Sequence, residues 1–222
     1  MAGTSPDHDT SELEKDIIDA IERGEDVQAR VRQLTLARMH QFARDLDSLR
    51  TIIAAAARAS WAGVRKDLER SGARSDLAKQ RLKESVSGLD AALAQFALAS
   101  RLAIEEAGGH AARASQEEIA RIREGLLSLE GMFLEALKQS AAAARVDAGG
   151  ILADLASHLR IQGSAVGAQV RESLDALRQL TLTTGEAQAD LGARLARSTF
   201  HHLRQLTADT LNGLADRIKP KT

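Results

Sequence analysis

The sequence predicts an all-α protein, an elongated bundle of long antiparallel amphipathic helices, and three observations lead there. Of 222 residues, 41 are Ala and 30 are Leu, while only five are aromatic (Phe42, Phe96, Phe133, Phe200 and Trp61). Ala, Leu, Arg, Glu and Gln lose little rotamer freedom on a helix, whereas the β-branched and aromatic residues that cover a sheet are scarce. The two prolines stand at positions 6 and 220, so nothing between them carries the strongest helix breaker. Apolar residues recur every three or four positions, and no window alternates apolar and polar as a half-buried strand does.

Residues 1–10 read as a disordered tail, 11–218 as a single helical bundle domain and 219–222 as a short basic tail. Ser11-Glu12-Leu13-Glu14 has the form of a capping box, in which the hydroxyl takes an amide and the glutamate reaches back. Leu13, Ile17, Ile18 and Ile21 form the stripe of that first helix, and Gly24 ends it. From Asp26 towards Arg70, Val27, Val31, Leu34, Phe42, Leu49, Ile52 and Ile53 stay in phase at ~100° per residue, which favours one long helix. Asp45 or Asp47 offers a cap for the alternative, two shorter ones.

Ser71 to Ser75 reads as a break, after which Ser75 caps a helix carrying Leu77, Leu82, Val86, Leu89, Leu93, Phe96 and Ile104. Gly108-Gly109 ends it, and Ser115-Gln116-Glu117-Glu118 opens the next helix as a second capping box. That helix carries Ile119, Ile122, Leu126, Leu129, Phe133 and Leu137, and Gly149-Gly150 is the following candidate break. A helix from Ile151 to Leu182 then carries Leu152, Leu155, Leu159, Val166, Val170, Leu174 and Leu177. Thr183-Thr184-Gly185 leads to a last helix with Phe200, Leu203, Leu206, Leu211, Leu214 and Ile218 on one side. Short connections make consecutive helices antiparallel neighbours.

Charge and composition exclude several functions. With 30 Lys+Arg against 31 Asp+Glu the net charge is −1, and a dedicated nucleic-acid binder should show a basic excess. The absence of Cys removes disulfides, thiolate catalysis and Cys-type zinc sites. The polar, acidic start lacks the apolar core of a secretory signal. The stretch Leu89–Ile104 is interrupted by Asp90, Gln95 and Arg101, too polar for a transmembrane span. A cytoplasmic protein is expected.

Catalytic templates fail one by one. There is no Gly-rich phosphate loop and no strand to hold one. His201 and His202 point about 100° apart on a helix and cannot chelate one metal as an i, i+4 pair does. Glu105/Glu106 and Glu117/Glu118 lie in charge-rich segments that a solvated face explains. No catalytic, cofactor-binding or metal residue is therefore expected. Gly163-Ser164-Ala165-Val166-Gly167 is a small-xxx-small element, read as a close helix crossing or a kink, and Trp61 as a core plug among small residues.

Val31, Phe42, Ile53 and Val64 are each 11 residues apart, a spacing of ~3.67 per turn that keeps them on one face of a nearly straight helix. With Phe200, Leu203 and Leu214 they form the candidate interaction face. An echo links 31–35, 177–181 and 203–207 (Val/Leu-Arg-Gln-Leu-Thr), but unequal intervals argue for similar helical faces rather than a solenoid.

Gly24–Arg32, Leu102–Gly109 and Ala165–Leu174 resemble segments of an uncharacterised proteobacterial family of similar length. In character the chain is also similar to the phasins, which coat polyhydroxyalkanoate granules: Ala/Leu-rich, Cys-free, Pro-poor and amphipathic. The Ala/Lys/Pro-rich tail of some phasins is missing. Two functions are thus expected as alternatives: a non-enzymatic, self-associating structural or interaction protein, or a phasin-like coat on a lipid or polyhydroxyalkanoate surface.

Overall fold

The computed structural model describes residues 6–42, 46–71, 75–109, 116–143 and 146–183. Seven helices fill these segments, and among the described residues there is no strand, as the periodicity requires. They are α1 (Pro6–Arg23), α2 (Val27–Phe42), α3 (Leu46–Ser71), α4 (Ser75–Gly109), α5 (Gln116–Ala143), α6 (Val146–Gln162) and α7 (Ala165–Thr183). The helix expected after Gly185 lies outside the described residues.

The boundary between α1 and α2 falls where local chemistry places it. Gly24 adopts φ +71° and its amide returns to the Ala20 carbonyl, which closes α1. Asp26, at φ +48°, completes the turn into α2; aspartate tolerates this left-handed region better than most residues. Helix α4 is described over Ser75–Gly109 and α5 over Gln116–Ala143. Ser11 lies inside α1, so the Ser11 box does not open that helix.

Three expectations need correction. The 26–70 region is two helices, α2 and α3, not one, so apolar phase alone does not reveal a chain reversal. The expected 151–182 helix is also two, because Gly163 turns to φ +90° between α6 and α7. Conversely, Gly149-Gly150 lies inside α6. Glycine lowers helix propensity without forbidding helical backbone angles, so a glycine pair alone does not stop a helix.

Contacts cluster into two compact units: residues 1–93 with 129–165, and residues 94–128 with 166–222. In the first, Glu12–Arg38 joins α1 to α2 at nearly equal distances from their connection, so this pair is an antiparallel hairpin. Glu14–Arg58 and Glu22–Lys66 are both separated by 44 positions, which makes α1 and α3 parallel. The Ser85 hydroxyl donates to Ser60 Oγ at 2.7 Å, again about equally far from the α3–α4 connection. These two helices form a second antiparallel hairpin.

The core of this unit combines large apolar side chains with a run of small residues on α3. Leu13, Ile17 and Ile21 of α1 pack towards α3, whose Ala55, Ala56, Ala57 and Ala59 are all buried. A methyl group added at Gly63 of α3 would stand 3.0 Å from Ile21 Cδ1, so these two helices approach closely. Met39, Leu82, Leu89, Leu93, Leu129, Phe133 and Leu152 supply the larger buried side chains. In the second unit, Ala97, Leu126, Val170 and Leu177 are buried, and the Ser173 hydroxyl donates to the Ala97 carbonyl at 2.9 Å. Arg101 and Glu172 form an ion pair beside it.

Candidate functional site

The residues singled out by sequence do not form one exposed surface in the described chain. Val31 lies in α2, Ile53 and Val64 in α3, and all three are buried in the first unit. Their 11-residue spacing crosses the 43–45 connection, so it is not a stripe on a continuous rod. Phe42 ends α2, but its side chain lies outside the described part, as do Phe200, Leu203 and Leu214. Trp61 is half-buried on α3 rather than a sealed plug. In the echo, Val31 and Leu177 share the buried position, so the repeat marks a common helical face.

Polar side chains that reach across the chain mostly join helix to helix. Arg38, itself buried, meets the exposed Glu12 at 3.1 Å. Arg58 reaches Glu14, and Lys66 reaches Glu22, both at 2.6 Å. These exposed or half-exposed pairs each contribute little, typically ~0–1 kcal/mol, but they fix which faces meet. Ser60 passes its own hydroxyl proton to the Ala56 carbonyl at 2.8 Å, so Ser85, Ser60 and Ala56 make a buried chain of hydrogen bonds.

The α6–α7 turn is held from two sides. Asp90 of α4, buried, accepts the Ala165 amide at 2.8 Å, satisfying one of the donors a helix start leaves open. Ser164 donates to Glu130 Oε1 of α5 at 2.7 Å. The start of the small-xxx-small element, Gly163-Ser164, is therefore a capped turn between two helices. Sequence reasoning noted Asp90 only as an interruption of an apolar run. A carboxylate at a core-facing position was the signal that it serves a buried donor.

Two open grooves carry charged walls. One, of about 640 Å³, lies between α4 and α6 and is lined by Lys79, Lys83, Ile151, Asp154, Leu155 and His158. The other, of about 350 Å³, adjoins the α1–α2 turn beside Asp26, Arg32 and Glu84. No group of three or more His, Cys, Asp or Glu able to hold a metal occurs among the described residues. None of the helices searched is long and apolar enough to cross a membrane.

The fold and its polar contacts define an all-α protein whose helices are registered by ion pairs and hydroxyl bonds. Residues 4–220 match the model of a family of unknown function (DUF6781), and the chain belongs to that family. No curated protein and no solved structure matches it.

Proposed function

We propose that this chain is a non-enzymatic structural or interaction protein that associates with copies of itself. The observation that supports this reading is the destination of the long-range polar contacts: Arg38–Glu12, Arg58–Glu14, Lys66–Glu22 and Arg101–Glu172 each connect two helices. Groups so used set the register of a scaffold rather than converge on a substrate. Light scattering coupled to size exclusion, over a roughly hundredfold range of concentration, tests it by mass action. A mass rising above 23.8 kDa is expected; a constant 23.8 kDa overturns the proposal.

One observation favours a second reading, a phasin-like coat on granule or membrane surfaces. Helix α3 buries a run of small residues, Ala55, Ala56, Ala57, Ala59 and Ser60, each offering less apolar surface than a leucine. At ~25 cal/mol per Å², separating such faces costs less than separating a leucine-rich core. Flotation with polyhydroxybutyrate granules or liposomes tests this reading. Chain that stays at the bottom of the gradient dismisses it.

A further inference from the structure

We propose that the outward face of α5 is a two-fold contact through which two copies of this chain pair antiparallel, with Gly131 on the axis. This rests on the self-association reading and names the surface responsible.

The starting point is a glycine that the chain itself does not explain. Gly131 stands in the middle of a 28-residue helix, exposed, and a Cβ added there would meet nothing within 4 Å. Glycine weakens a helix interior, and the usual structural reason for it, a close neighbour, is missing among the described residues. One turn earlier on the same face, Leu127 is 53% exposed. A notch beside a protruding leucine suits the close approach of a second helix.

Charge then selects the partner. At ~100° per residue, Ala120, Glu124, Leu127, Glu135, Lys138 and Ala142 all fall within about 40° of the Gly131 direction. Every one of them is exposed. In an antiparallel pair centred on Gly131, a residue n places before the glycine faces the residue n places after it on the other copy. Ala120 then faces Ala142, Glu124 faces Lys138, and Leu127 lies along the aliphatic stem of Glu135. Two-fold symmetry makes each pairing twice, as an isologous interface requires. Among the described residues Lys138 meets Glu135 at 3.9 Å, a long contact. The face spans 22 residue steps, about 33 Å of helix. One helix pair of that length is a small interface, so the dimer is reversible and concentration-dependent.

Sedimentation equilibrium of the full chain tests this, with Glu124→Lys, Lys138→Glu, the double swap and Gly131→Leu. Each single reversal sets like charges opposite one another at both symmetry-related pairs, and the dissociation constant is expected to rise about tenfold or more. The double swap restores opposite charges and should return it to within roughly threefold of the parent. Gly131→Leu fills the notch, so it should weaken the dimer while raising the melting temperature read by circular dichroism. Single reversals that pair as tightly as the parent, or a double swap that does not recover, overturn this face and leave self-association standing. A parent chain that stays monomeric throughout removes the self-association reading, and this face with it.

Discussion

Gly131 and Gly163 both have empty space where a Cβ would stand, yet alanine is expected to move stability in opposite directions at the two positions. At Gly131 the backbone is helical, so alanine removes unfolded-state freedom and raises stability by about 0.5–1 kcal/mol. At Gly163 the backbone sits at φ +90°, where an L side chain is strained, and alanine should cost about 1–2 kcal/mol. Gly88 differs from both, because it is buried against α2. A methyl group there would lie 2.5 Å from the Gln28 carbonyl oxygen and 3.1 Å from Val31 Cβ. Since a backbone oxygen cannot swing aside as a side chain can, Gly88→Ala should lose about 1–3 kcal/mol by overpacking. Urea unfolding followed by Trp61 fluorescence ranks all three. Equal effects at Gly131 and Gly163 would remove the conformational explanation.

At the scale of the element, α7 depends on a residue far from it in sequence. Asp90 supplies the acceptor for the Ala165 amide, and its negative charge faces the positive end of a helix dipole. Asp90→Ala should destabilise by about 1–2 kcal/mol and speed hydrogen exchange in the first turn of α7, while Asp90→Asn keeps an acceptor and loses less. Unchanged exchange at Ala165 in Asp90→Ala would dismiss the cap. The same turn shows what was legible beforehand. A helix end marked by local chemistry, such as Gly24, could be read because the signal and its effect lie within one turn. Apolar phase runs unbroken from Val27 through Ile53, so it concealed the α2–α3 boundary, and the Gly149-Gly150 pair overstated a break. The Asp90 cap bridges 75 positions, a pairing that no local pattern contains.

For the whole molecule, the helical class was plain because every segment carries the same period, but the use of its apolar faces was not. Val31, Ile53 and Val64 mark a stripe equally suited to a partner, a surface or the chain's own core, and the structure buries them at home. A coat function would therefore require the first unit to open, separating α3 from α4. Ser60 and Ser85 allow this to be tested, because their side chains meet across the two helices, hydroxyl to hydroxyl at 2.7 Å. The chain has no cysteine of its own, so Ser60→Cys with Ser85→Cys introduces one defined clamp. Under the scaffold reading, the oxidised double variant should associate with itself as the parent does, because neither residue lies on the outward face of α5. If the coat reading holds instead, flotation with granules or vesicles should be strong in the reduced form and abolished on oxidation. Surface binding that survives the closed clamp would show that opening these helices is not how the chain meets a surface.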